Sequence, residues 1–490
     1  MRVVGLDLGT QSLKAVVCDE ALAVRGHHAV GYPTQYPGPG CAEQDPRAWE
    51  AALGPAIGGA LAAAGARPDA VAALAITGQL DGCVAVDAGG APLHPALIWQ
   101  DRRAVSDAAR VDARRLFALT GQVADPGHMA PKARWLRRVR PGVARFHQPV
   151  SYLVERLTGA AVIDPALAST TMLLELAAAR WSVELLDAFE LGAGDLPALR
   201  PACAVAGQLT ADGARLTGLP AGVPVAVGTG DDFAAPIGAG VVAPGPVVCV
   251  VGTAEVVGGL ASRPVLDAAP EPMVETHAFP AGGFFVENPG WMSGGAVRWA
   301  ARLLGLSGDA ELDALAAGAP PGADGVTFVP ALAGAMTPVW RPHARGTLHG
   351  LAAGHDRGCI ARAVLEGLAC AARDVVDRLG ALGLPAREVL LLGGGAHSRV
   401  WAQIRADLVG VPHRVAAHAD ATPIGAAMIA AVAAGLAPDL AALAARVPPP
   451  AATFVPDPAA AGPAGEAYGR YRRLVEQLAP LADAPWHGTG

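Results

Sequence analysis

The chain has 490 residues, 52% of them hydrophobic and 17% charged, which is enough apolar material for more than one core and rules against a disordered chain. A formal net charge of −7 argues against a nucleic-acid binder, which carries a basic excess. Seven cysteines, at 18, 41, 83, 203, 249, 359 and 370, include no Cys-x-x-Cys pair, so free thiols in a reducing cytoplasm are expected rather than a disulfide or zinc framework.

The first strand is expected over 3–8, directly at the N-terminus, a pattern unlike a signal peptide. A polar turn at 9–12 separates it from a second strand over 14–19. Helical spacing follows over 46–64, strands over 71–77 and 83–86, and helices over 105–119 and 130–139. A strand over 223–227 leads into Gly228-Thr229-Gly230-Asp231-Asp232. Beyond the loop signal Ala243-Pro244-Gly245-Pro246 come strands over 247–251 and 254–258, helices over 296–304 and 311–317, and a strand over 327–330. The last third reads as a helix over 359–382, a strand over 389–392, and helices over 398–408, 422–434 and 465–478. Strands alternating with long helices indicate an α/β protein. The mid-chain loop places the expected boundary between lobes of 1–243 and 244–490. The apolar stretch 421–438 is interrupted by Pro423, Gly425, Gly435 and Pro438 and reads as a buried helix, not a membrane span.

Two segments repeat one pattern. GLDLGTQSLKAVV (5–17) and VVCVVGTAEVVGGL (247–260) each run apolar strand, Gly-Thr, polar residues, apolar strand, near the start of each half. Successive amides in a tight turn form an anion-binding nest, and a threonine hydroxyl adds a donor. Two such hairpins facing each other would offer both to one phosphate-bearing ligand. Other phosphate motifs are absent. Lysine occurs only at Lys14 and Lys132, neither after a glycine, so there is no Walker A loop; Gly228–Phe233 lacks the third glycine of the dinucleotide fingerprint. In LLLGGGAHS (390–398) a strand runs into three glycines and then a helix start, which lets a flat ligand lie against backbone.

These features stand in a known order. DLGT near the N-terminus, GDD at mid-chain, GT after the next strand and GGGA late resemble the FGGY carbohydrate kinases, with the xylulokinases nearest. AEQDPRAWEAAL (42–53), ITGQLDG (76–82), ALIWQDRR (96–103), PGHMAPKARW (126–135), VAVGTGDDFAAPIGAG (225–240) and RAVLEGLACAARD (362–374) carry the resemblance over nearly the whole chain. It implies a two-lobed sugar kinase/Hsp70/actin-like (ribonuclease H-like) ATPase fold with a central cleft. It also implies transfer of the γ-phosphoryl of ATP to a ketose, first D-xylulose to D-xylulose 5-phosphate. Another pentulose, a tetrulose, a sugar alcohol or a catalytically silent sugar sensor are the alternatives. Asp231 is then the general base on the acceptor hydroxyl, and Gln79, Leu80, Asp81 and Asp232 hold the sugar. Asp7 and Asp231 hold Mg²⁺. Gly9, Thr10, Gln11 and Lys14 meet the phosphates from one side, and Gly252 and Thr253 from the other. Gly394, Gly395 and Ser398 bed the adenosine. A small-molecule sugar, no nucleic acid, no membrane, a cytoplasmic location and a possible homodimer complete the implied picture.

Three departures bear on the substrate. Xylulokinases carry Met-His where this chain has Leu80-Asp81, and an ionised carboxylate only accepts hydrogen bonds. The arginine-glutamate pair of glycerol kinases after the glutamine is also absent. The second phosphate turn reads Gly252-Thr253-Ala254-Glu255 instead of Gly-Thr-Ser-Gly, and Glu255 would repel phosphate unless it points away or binds metal. The family block Gly-Glu-Arg-Thr-Pro becomes Gly334-Ala335-Met336-Thr337-Pro338, losing both charges.

Overall fold

The computed structural model describes residues 1–418 and 420–482. In its first sheet, β1 (Arg2–Leu8), β2 (Ser12–Cys18) and β3 (Val24–Gly31) form an antiparallel meander. Helix α1 (Pro46–Ala63) then returns the chain to β4 (Val71–Gly78), which lies parallel to β1. Helices α2 (Met129–Val139) and α3 (Pro149–Thr158) follow, then β5 (Val205–Gln208), β6 (Pro224–Ala226), the two-residue β7 (Thr229–Gly230) and helix α4 (Asp231–Gly238). The sheet order is β5-β6-β4-β1-β2-β3, with β7 paired to β4.

The second sheet repeats this plan. Strands β8 (Val247–Val251) and β9 (Ala254–Ala261) form a hairpin, and β10 (Glu275–Ala278) and β11 (Phe284–Met292) extend it antiparallel. Helices α5 (Gly294–Leu303) and α6 (Arg357–Ala381) precede β12 (Val389–Leu392), which is parallel to β8. Helix α7 (Arg399–Val409), β13 (His413–Val415), α8 (Thr422–Ala433), β14 (Ala452–Phe454) and α9 (Ala461–Ala482) follow. The order β10-β11-β9-β8-β12-β13-β14 contains β11-β9-β8-β12, the counterpart of β3-β2-β1-β4. The two Gly-Thr hairpins therefore occupy the same place in two equivalent sheets.

Strand β1 is buried along nearly its whole length, because α1 covers one face of the sheet and α8 the other. The contact with α8 is backbone to backbone: a Cβ on Gly5 would stand 2.0 Å from the Pro423 carbonyl oxygen. A Cβ on Gly425 would likewise stand 2.1 Å from the Ala234 carbonyl oxygen of α4. Ile424, Ala427 and Met428 of α8 share an apolar cluster with Val3, Ala75 and Phe233 of the first sheet's side and with Val248 and Leu392 of the second. Helix α8 thus forms within the apolar 421–438 stretch, buried between sheets; among the described residues no helix is long and apolar enough to cross a membrane.

Several expected boundaries change. The expected helix over 105–119 is broken into Val105–Ala108 and Ala113–Thr120, because the Asp112 carboxylate caps the second piece at the Arg115 amide. The C-terminal helix runs past both ends of the expected 465–478. The strands at Val84–Val86 and Thr327–Val329 pair outside the two main sheets. Strand β3 is largely exposed, His27 and His28 included on its two opposite faces, which gave the sequence no apolar alternation. All seven cysteines are free.

Candidate active site

Asp7 and Lys14 are cross-strand partners in the first hairpin, so their side chains share a face. Lys14 Nζ lies 3.5 Å from Asp7 Oδ2 and 3.0 Å from Asp420 Oδ1, two residues ahead of α8. Asp7 is buried and its Oδ1 has no hydrogen-bond partner. Burial pushes the Asp7 carboxyl up to about 7; Lys14 pulls against this, while Asp231 and Asp420 add to it. Lys14 is thus engaged with carboxylates, in reach of the turn that follows Asp7.

That turn is braced from outside. The Gly9 amide closes it on the Ser12 carbonyl at 3.1 Å, and the Tyr32 hydroxyl donates to the Gly9 carbonyl. Gln44 Nε2 donates to the Thr10 carbonyl at 2.6 Å, and Trp99 Nε1 to Thr10 Oγ1 at 2.9 Å. Gln79 donates to Gln44 Oε1 at 2.9 Å, leaving its own buried Oε1 unpartnered. Gln11, at the tip, is exposed. Gln44 and Trp99, from two quoted sequence blocks, were not foreseen as supports.

Asp231 and Asp232 form the first turn of α4, where the helix dipole favours carboxylates. Their backbone is pressed into place: Gly228 takes φ 76°, and a Cβ on Gly230 would stand 1.9 Å from Leu80 Cδ2. Leu80 packs against the strand that delivers Asp231 and against the apolar cores. Thr229 Oγ1 donates to Asp164 Oδ2 at 3.1 Å, tying the same turn down. Although both keep part of their surface open, burial and then the neighbouring Asp232 raise the Asp231 proton affinity. Burial and then Asp81 raise that of Asp232. The pair therefore holds a proton well above the usual carboxylate range.

Asp81 takes the left-handed φ of 60°. Its amide donates to Gln148 Oε1 at 3.0 Å, and its carbonyl accepts from the fully buried Lys132 Nζ at 3.0 Å. Its carboxylate lies 3.0 Å from His128 Nδ1. Beyond His128, Glu275 Oε1 is 3.5 Å from Nε2, and His277 Nε2 is 3.5 Å from Glu287 Oε1. Burial opposes a charge on His128, yet Asp81 and Glu275 outweigh it and hold the imidazole protonated well above its usual range. Strand β10, from the second half, thus reaches the loop after β4, an approach no local motif announced.

The second turn is fastened to α5. The Gly252 amide donates to the Ala254 carbonyl at 2.8 Å; the Gly252 and Thr253 carbonyls accept from the amides of Gly294, Ser293 and Gly295 at 3.0–3.1 Å. Arg298 Nη2 donates to Thr253 Oγ1 at 2.9 Å. Glu255 points away from the turn: it is fully buried against Arg405, with both guanidinium-to-carboxylate bonds at 2.6 Å, and accepts from Ser293 Oγ at 2.5 Å. The Gly-rich stretch lies against the preceding strand. A Cβ on Gly395 would stand 2.4 Å from Val251 Cγ1, whereas one on Gly394 would meet nothing within 4 Å. Ser398 caps α7 at the Trp401 amide and also bonds Asp313. In the altered block, Asn288 Nδ2 donates to the Met336 carbonyl at 3.0 Å.

With this geometry in hand, the N-terminal domain description of the FGGY family of carbohydrate kinases matches residues 2–238, and its C-terminal domain description matches 247–434. The chain belongs to the FGGY family of carbohydrate kinases. The kinase is 34% identical over 490 residues to a xylulose kinase of Escherichia coli, covering 98% of this chain and 99% of that one. It is 35% identical over 457 residues to a glycerol kinase of Alkalilimnicola ehrlichii, covering 89% and 90%. The crystal structure of a xyloylose kinase from Brucella ovis matches with a TM-score of 0.90 at 32% identity, covering 98% of this chain and 100% of that one. The kinase has the two α/β lobes of the actin-like ATPase fold, as the sequence implied.

Proposed function

We propose that the kinase transfers the γ-phosphoryl of ATP to a hydroxyl of a ketose. D-xylulose, giving D-xylulose 5-phosphate, is the first acceptor to test; another pentulose, a tetrulose or a sugar alcohol are the alternatives. The observation that carries this reading is the placing of Asp231 at the head of α4, close enough to Asp7, Asp232 and Lys14 for their charges to bear on it. In the reaction the acceptor oxygen bonds to the γ-phosphorus, the bond from phosphorus to the ADP oxygen breaks, and the hydroxyl proton passes to Asp231. A carboxylate with raised proton affinity is suited to this at neutral pH. Gln79, Asp81 and Asp232 hold acceptor hydroxyls, while Leu80 shapes the wall beneath Asp231.

Gly9, Thr10, Gln11 and Lys14 meet the triphosphate from one lobe, and Gly252 and Thr253 from the other, with Arg298 adding charge. Gly394 offers open backbone to the adenosine; Gly395 and Ser398 keep that turn in shape. The orphaned Asp7 Oδ1 fits Mg²⁺, a hard cation that takes oxygen ligands and completes its shell with phosphate and water. Bound there, and shared with Asp231 on one side, the ion would offset phosphate charge. The E. coli relative supports xylulose, and Leu80-Asp81 after Gln79 weighs against glycerol. An ADP-release screen of ketoses and polyols tests the reading. ADP production that depends on one of them is expected; ATP binding with no acceptor-dependent ADP would favour the silent sensor.

A further inference from the structure

We propose that His128 sets acceptor specificity by holding the Asp81 carboxylate as a fixed hydrogen-bond acceptor, so that the pocket takes a neutral ketose or polyol through a hydroxyl donor and turns away a sugar acid. This inference rests on the kinase reading above and adds a positioning residue to it.

The support lies in how completely this corner is built. Asp81 adopts a backbone conformation that non-glycine residues seldom hold unless their surroundings enforce it. Three groups enforce it here: Gln148 at its amide, Lys132 at its carbonyl and His128 at its carboxylate. His128 stands on an equally fixed loop. Arg102 binds Asp125 through two bonds of 2.7 and 2.6 Å, and Asp125 accepts from the Gly127 amide at 2.7 Å. Lys132 Nζ closes the same loop on the Gly127 carbonyl. This frame fixes the backbone that presents the imidazole to Asp81.

The charges facing His128 define what the pocket accepts. Asp81 approaches from the loop after β4 and Glu275 from β10, with the Gln122 amide 3.3 Å from Nδ1. Lys132 lies on the helix that His128 begins, and its three carbonyl partners occupy it. Past Glu275 stand His277 and Glu287; burial lowers the His277 proton affinity, so this imidazole stays neutral. Glu287 is buried, with Oε2 unpartnered, and burial followed by Asp232, Glu275, Asp81 and Asp231 raises its proton affinity. His128 therefore meets two of these carboxylates directly, Asp81 at 3.0 Å and Glu275 at 3.5 Å, while Lys132 adds its charge near Asp81 from the carbonyls that hold it. With one N–H directed to Asp81, the imidazolium holds that carboxylate in place as an acceptor, and an ionised carboxylate can only accept. An acceptor must bring it an O–H. One bringing a second carboxylate meets like charge in a confined site.

The test compares wild type with His128→Leu, His128→Asn and Asp81→Asn, using the neutral acceptor found by the screen and an aldonate of the same carbon number. His128→Leu should raise the acceptor KM at least tenfold while the KM for ATP stays within twofold. His128→Asn, which keeps an N–H donor near the Nδ1 position, should fall between Leu and wild type. In Asp81→Asn the aldonate-to-neutral ratio of kcat/KM should rise at least tenfold. In wild type the acceptor KM should climb as pH rises through the imidazole's titration, and this climb should vanish in His128→Asn. An unchanged acceptor KM in His128→Leu, or equal rises in both KM values, overturns the inference while leaving the kinase intact. A wild type that phosphorylates no ketose, polyol or sugar acid overturns both.

Discussion

Glu255 and Arg405 meet through two bonds of 2.6 Å each beneath the second Gly-Thr turn, fully enclosed and joined by Ser293 and Cys249. The glutamate that stands in place of the family's glycine is therefore part of the lobe's interior, its charge directed away from the turn. Removing one member of such a pair strands a buried charge, at a cost of about 3–5 kcal/mol. Arg405→Met should lower the unfolding free energy by that amount. Adding Glu255→Gln to it should recover a large part of the loss, as read by denaturant unfolding of both variants.

Asp7 gives a pH dependence of defined sign. Its folded value of about 7 lies above the reference 3.8, so folding takes up a proton between those values. The penalty for burying Asp7 is absent below about pH 4 and complete above about pH 7, where it is on the order of 2–4 kcal/mol. Without nucleotide, Asp7→Asn should be more stable than wild type at pH 8 and equal to it near pH 4. Urea titrations at the two pH values read this directly, and Asp7→Asn should also lose Mg²⁺-dependent ATP turnover.

Neighbouring glycines should separate packing from nucleotide contact. Gly395→Ala drives a methyl into Val251 and should cost about 1–3 kcal/mol of stability. Gly394→Ala points into open space and should leave stability unchanged while raising the KM for ATP several-fold. Thermal unfolding and ATP kinetics on the two variants distinguish the roles.

What the sequence revealed follows from which interactions are local. The β1–β2 and β8–β9 hairpins were legible because apolar runs flanking Gly-Thr are contained within fifteen residues. The placing of Asp231 between a strand and a helix was legible because its strand, glycines and helix start are contiguous. The Asp81 environment was not. Its partner His128 lies 47 positions away, and Glu275, which meets His128 from the other side, lies 194 positions from Asp81 and arrives only because β10 of the second sheet reaches the first. Glu255 posed two alternatives, pointing away or binding metal, and the choice was made by Arg405, on a helix 150 positions further on. The break at Asp112 was missed because a capping carboxylate inside a continuous amphipathic stretch looks like an ordinary exposed helix position.

The central claim is that Asp231 takes the proton of the acceptor hydroxyl. The direct measurement is ³¹P NMR of a reaction containing ATP, Mg²⁺ and the acceptor found by the screen, run with wild type and with Asp231→Asn. Wild type should yield one acceptor phosphate monoester per ADP. Asp231→Asn should fall by about 10²–10⁴-fold in rate while its ATP affinity stays within a few-fold. Phosphoryl transfer at an undiminished rate in Asp231→Asn would contradict the account.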